Sequence, residues 1–175
     1  MMMAALQAGG MVLLTDHIRR ADENNPKGYF EYERIKKLPE GDTDWLKTAQ
    51  GNAVKVISAL LEYLPDRYRY RVLFLERNIT EILASQKRML ERTGIKEQHP
   101  TSDEDMQQAL LDHVAQVKSW LDERDWIKTL SVRYNLILRN PRKEFLKVAN
   151  FLEQPLNVES MVEVVDPKLY REQNK

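Results

Sequence analysis

Short apolar runs separated by longer stretches of helical period set the frame of this chain. Met1–Ala8 reads as a short helix stopped by Gly9 and Gly10. Asp22–Gly28 is a polar loop with a turn at Asn25-Pro26. The spacing predicts a helix over Tyr29–Leu38, with Phe30, Ile35 and Leu38 available for burial, and another over Thr43–Gln50 anchored by Trp45. Ala53–Ser58, AVKVIS, is a β-branched run and reads as a strand; Tyr63–Arg69 is a loop around Pro65. Arg71–Leu75 is the strongest strand signal, and Ile79–Thr93 follows it as a helix ended by Gly94.

Beyond the polar loop Glu97–Ser102 comes an amphipathic helix, Asp103–Glu123. Met106, Leu110, Val114, Val117 and Leu121 fall at helical spacing there, and Ser102 or Asp103 can cap it. Thr129–Val132 is a third strand candidate. Pro141–Leu152 is a helix with proline in its first turn, and the tail from Gln154 reads as extended. Short continuous apolar strands between helices of this length imply an α/β fold, a parallel sheet with helices on both faces. The chain has 175 residues, for which one domain spanning 1–175 is the expectation.

Charge and composition narrow the function classes. Lys and Arg number 27, as do Asp and Glu, and this balance argues against a broad nucleic-acid surface while leaving room for a local basic pocket. There is no cysteine, which excludes disulfides, thiolate metal sites and cysteine nucleophiles. No apolar run approaches the roughly 20 residues of a membrane span. The apolar start also lacks the basic segment of a signal peptide. The expectation is a cytoplasmic protein without a membrane span.

The chemistry concentrates at Tyr70–Gln86, YRVLFLERNITEILASQ. An apolar strand ends in Arg77, Asn78 can cap the helix that follows, and Ser85 lies eight positions after Arg77 on that helix. A strand-to-helix junction with free backbone N–H groups and a guanidinium fork suits a phosphate or sulfate. A surface arginine with a small packed serine is the plainer alternative. Lys55 interrupts AVKVIS and must snorkel, lie on a wet edge or meet an anion. Tyr134, within Arg133-Tyr134-Asn135 after the third strand, suits either a nucleotide base or core packing. His17, His99 and His113 are scattered without metal spacing, so no metal site is expected.

Taken in order, AALQAGGMVLLTD, ADENNPKGYFEYERIKKL, AVKVISALLEYLP, YRVLFLERNITEILASQKRML, SVRYNLILRNPRKEFLKVANFL and VDPKLYR resemble the bacterial sulfotransferase family over nearly the whole chain. That resemblance implies a three-layer α/β/α fold with a parallel sheet, of the P-loop NTPase-like type. It implies transfer of a sulfuryl group from 3′-phosphoadenosine-5′-phosphosulfate (PAPS) to a hydroxyl or amine of a small-molecule or peptide acceptor, leaving adenosine 3′,5′-bisphosphate (PAP). Arg77 and Ser85 match the family's 3′-phosphate ligands; Lys55 matches the lysine beside the transferring sulfate in the animal cytosolic relatives, and Tyr134 the tyrosine that approaches adenine in those relatives.

The chain departs from the family pattern twice. The first strand and the PRSGT-type loop for the 5′-phosphosulfate belong immediately ahead of Met1 in the family pattern, so the expectation is a sequence that begins late, inside the following helix. The KxH of the cytosolic relatives is Lys55-Val56-Ile57 here. The base must then come from elsewhere, with Glu31, Glu33, Asp16 and His17 as candidates. The region around GYFEYE and the loop Glu97–Ser102 are expected to border the acceptor pocket. A non-catalytic relative that keeps partial nucleotide binding is the alternative. A P-loop kinase-like phosphotransferase is weaker, since no GxxxxGK[ST] occurs.

Overall fold

The computed structural model describes residues 1–19, 21–22, 25, 28–93 and 102–166. Its centre is a parallel pair of strands, β1 (Tyr70–Glu76) and β2 (Ile127–Arg133), in register from Tyr70 opposite Ile127 to Glu76 opposite Arg133. Parallel neighbours need a long crossover. Two helices supply it, α3 (Ile79–Thr93) and α4 (Asp103–Asp122). The other elements are α1 (Met2–Ala8), α2 (Leu46–Ala49), α5 (Tyr134–Arg139), α6 (Pro141–Leu152) and α7 (Val158–Glu163), with 3₁₀ segments at Glu33–Glu40 and Ser58–Tyr63.

Side chains alternate across a strand, and here the alternation separates two cores. Tyr70, Val72 and Phe74 of β1 and Ile127 of β2 join a cluster with Ile35, Leu38, Trp45, Leu61, Val117 and Leu121. Leu73, Leu130 and Val132 face the opposite cluster, built from Met2, Ala5, Leu6, Ile137, Phe145, Val148 and Met161. Helices therefore cover both faces of the small parallel sheet, the layered α/β arrangement that the apolar pattern predicts.

Several elements form where the sequence places them. The α1, α3 and α6 helices match their predicted spans to within a residue, and α4 ends one residue early. Ser102 is the α4 cap: its side chain accepts from the Asp105 N–H at 3.0 Å. Trp45 is buried and donates its indole N–H to the Asp42 carbonyl at 2.9 Å, although the helix beside it is shorter than expected, only Leu46–Ala49.

Three expectations are corrected. Ala53–Ser58 is not a ladder strand. Ala53 makes one parallel bridge with Leu13, Ala53 N–H to Val12 O at 2.9 Å and Leu14 N–H to Ala53 O at 2.8 Å. The chain then runs to Ile57 without pairing to a described strand. An apolar β-branched run becomes a strand only where a neighbour takes its backbone groups.

Tyr29–Leu38 is not a helix throughout. Phe30 has φ 53°, Tyr32 is extended, and helical structure begins only at Glu33, as 3₁₀. A left-handed residue at position 30 cannot belong to a right-handed helix.

The tail from Gln154 is not simply extended. Asn157 caps α7 by accepting from Ser160 N–H at 3.1 Å, and Met161 is fully buried. Met161 packs so closely on Gly9 that a Cβ built there lies 2.8 Å from its Cγ, so a side chain at this helix cap would force the buried Met161 to shift. Gly94, most of the Glu97–Ser102 loop, His99, and Pro26 of the Asn25-Pro26 turn lie outside the described residues.

Candidate functional site

Strand β1 ends at Glu76, and Arg77 and Asn78 form the whole link to α3. Asn78 caps the helix: its Oδ1 accepts from Thr80 N–H at 3.0 Å and from the Thr80 hydroxyl at 2.8 Å. Strand β2, paired in parallel, ends in register at Arg133, and Tyr134 opens α5. Parallel pairing thus delivers Arg77 and Tyr134 to the same carboxyl edge, where ligands of open α/β sheets bind. The guanidinium carbon of Arg77 lies 5.2 Å from the centre of the Tyr134 ring, within cation–π range. Burial pushes the Tyr134 phenol above its ordinary value, with Arg77 pulling it back in part, so the ring stays neutral.

Arg77 has a partner that the sequence reading passed over. Its Nε donates to Glu81 Oε2 at 3.1 Å, one helical turn along α3, and Glu81 is only 2% exposed. The spacing Arg77-x-x-x-Glu81 is the i,i+4 signal that could have revealed it. Ser85 is again four residues on and so lies on the same side of α3 one turn further, on an exposed stretch. Asn135, beside Tyr134, buries an Oδ1 that has no hydrogen-bond partner among the described residues.

Lys55 engages a different set. Its Nζ donates to the Tyr29 carbonyl and to Glu31 Oε1, both at 3.2 Å, and Arg19 reaches the same Oε1 at 3.4 Å. Arg19 also stacks 3.4 Å over the Tyr29 ring. Of the four candidate bases, only Glu31 touches Lys55. Asp16 accepts from Glu33 N–H at 2.5 Å and Ile18 N–H at 3.0 Å, and the first of these holds its carboxyl below the ordinary value. Glu33 pairs with Lys36 at 2.7 Å, and His17 with the Thr15 hydroxyl at 3.0 Å. His113, scattered in sequence, is brought by α4 to within 2.8 Å of the Ser58 hydroxyl, three residues after Lys55.

A cleft of about 400 Å³ opens beside β2, lined by Glu76, Lys118, Arg133, Leu136, Glu144 and Lys147 among others. None of Arg77, Ser85, Tyr134 or Lys55 lines it. Its cations already face carboxylates: Lys118 pairs with Glu76, Arg133 with Glu76 at 3.6 Å, and Lys147 with Glu144 at 2.6 Å. The Lys118 contact holds the Glu76 carboxyl below its ordinary value. At the strand–helix junction an arginine guanidinium, an aromatic ring and a helix start come together, a combination the cleft lining lacks, and the junction is the better candidate seat.

The family model described as Sulfotransferase domain matches residues 59–172, well over half of the 175. The chain belongs to the sulfotransferase domain family. No solved structure matches it. The matched span contains both sides of the Arg77–Tyr134 junction, so the edge singled out by geometry lies inside the sulfotransferase domain. Lys55 and the carboxylates of residues 16–33 lie ahead of the match. No helix among the described residues is long and apolar enough to cross a membrane.

Proposed function

We propose that this sulfotransferase domain binds the adenosine 3′,5′-bisphosphate moiety of PAPS at the carboxyl edge of β1 and β2, for sulfuryl transfer to a hydroxyl or amine of a small-molecule or peptide acceptor. The observation that carries the reading is the Arg77 guanidinium set 5.2 Å from the Tyr134 ring at the start of α3. The donor set fits the nucleotide: an arginine fork for a phosphate, a helix N-terminus with its own N–H groups, and a neutral aromatic face for a base. Ser85 adds a hydroxyl one turn beyond Glu81 on the same side of α3. Among the described residues no glycine-rich loop joins a strand to a helix, and the 5′ end is therefore assigned no ligands.

When bound, PAPS supplies the activated sulfuryl group and a phosphate leaving group. The chain's own part is positioning and charge. Arg77 holds the 3′-phosphate and Tyr134 supports the adenine. Lys55 provides a cation where negative charge develops, and Glu31, 3.2 Å from Lys55, takes the proton of the acceptor.

One observation favours a second reading, a relative that binds nucleotide without catalysis. The Lys55 ammonium is already engaged by Glu31 and by the Tyr29 carbonyl. Both readings require the 3′-phosphate contact. Isothermal titration of the chain with adenosine 3′,5′-bisphosphate and with adenosine 5′-monophosphate tests it. The expected result is binding at least about tenfold tighter for the bisphosphate, the worth of one charge-assisted contact. Equal affinities would count against a 3′-phosphate seat.

A further inference from the structure

The α3 helix carries a carboxylate that neither nucleotide binding nor proton transfer uses. Glu81 is 2% exposed, sits one turn from Arg77, and accepts the Arg77 Nε–H at 3.1 Å. A buried anion beside a phosphate seat opposes the ligand by like charge, so its place there calls for a compensating role. Guanidinium geometry supplies one. Arginine is a planar fork of five donors, and a carboxylate on Nε fixes both the plane and the direction in which the terminal nitrogens point. The Tyr134 ring, 5.2 Å from the guanidinium carbon, limits the remaining swing. With Glu81 buried on α3, the arginine head is held from two sides before any ligand arrives. A head oriented in advance loses less freedom on binding.

Building on the nucleotide seat proposed above, we infer that Glu81 is a positioning residue: it aims the Arg77 guanidinium at the 3′-phosphate and thereby sets the preference for a 3′-phosphorylated nucleotide. Its effect passes through Arg77 and not through contact with the ligand. Loss of the carboxylate should therefore cost the bisphosphate and spare a nucleotide that lacks the 3′-phosphate. A residue that only supports the fold would weaken both alike.

The test is titration of wild type, Glu81→Ala and Glu81→Gln with adenosine 3′,5′-bisphosphate and adenosine 5′-monophosphate. We expect Glu81→Ala to weaken the bisphosphate about tenfold or more and the monophosphate by less than about twofold. Glu81→Gln keeps the volume and an acceptor oxygen, and should fall between, at about threefold. If Glu81→Ala does not fold, the glutamine variant decides alone. Unchanged bisphosphate affinity, or equal loss of both ligands, overturns the inference. Failure of the wild type to distinguish the two ligands is a separate outcome: it overturns the nucleotide reading on which the inference rests.

Discussion

Replacing Arg77 with alanine is expected to weaken adenosine 3′,5′-bisphosphate binding by about a hundredfold or more, read as a loss of ligand-induced thermal stabilisation. The magnitude follows from two-point contact: each charge-assisted hydrogen bond contributes about 1.5–3 kcal/mol, and tenfold in affinity is about 1.4 kcal/mol. The same change takes the arginine away from a carboxylate that is 2% exposed, so the fold itself is expected to lose stability. Pairing Arg77→Ala with Glu81→Gln separates the two effects, because a neutral amide tolerates the missing cation. The double variant should recover stability and still fail to bind. A double variant that binds the bisphosphate like wild type would show that the phosphate rests elsewhere.

The second large effect is on the fold. Phe145→Ala is expected to lower stability by about 3–5 kcal/mol, a large share of the 5–15 kcal/mol usual for a domain. Phe145 is fully buried in the core behind β2, with Val132, Ile137, Val148 and Met161. Four helices (α1, α5, α6 and α7) meet the sheet in that core. Truncation leaves a cavity that the surrounding structure fills only in part. Its neighbour Leu146 is exposed, and Leu146→Ala should change stability by no more than about 0.5 kcal/mol. Equilibrium denaturation of the two variants compares them directly. A loss below about 1 kcal/mol for Phe145→Ala would mean that this core is not packed as described. Because Val132 ends the buried run that carries Tyr134 to the sheet edge, a loosened core should also weaken nucleotide binding.

The readable parts of the sequence were those governed by local period. Strand β1 and helices α3, α4 and α6 combine an unbroken pattern with a clear stop, and their limits could be read almost to the residue. The GYFEYE segment misled because its apolar spacing suits a helix, while Phe30, at φ 53°, breaks the backbone just before the helical turns start. The α7 helix was legible in principle: Asn157 is a cap residue, and Val158, Met161 and Val162 share a helical face. AVKVIS has strand composition, but composition does not say whether a neighbour will take the backbone.

The site followed the same division. Arg77, Asn78 and Ser85 were evident from the strand–helix junction, and Glu81 was available in the i,i+4 spacing. Contacts made across the fold were not. Lys55 meets Glu31 over 24 positions and Ser58 meets His113 over 55, distances that only folding closes. The stacking of Arg77 on Tyr134 likewise depends on the parallel register of two strands separated by the whole α3–α4 crossover.

A crystal structure of the chain grown with adenosine 3′,5′-bisphosphate tests the central claim most directly. The account predicts the 3′-phosphate within hydrogen-bonding distance of the Arg77 guanidinium at the start of α3, with the adenine against Tyr134. A bisphosphate bound in the cleft beside β2, or one whose 3′-phosphate does not touch Arg77, would contradict it.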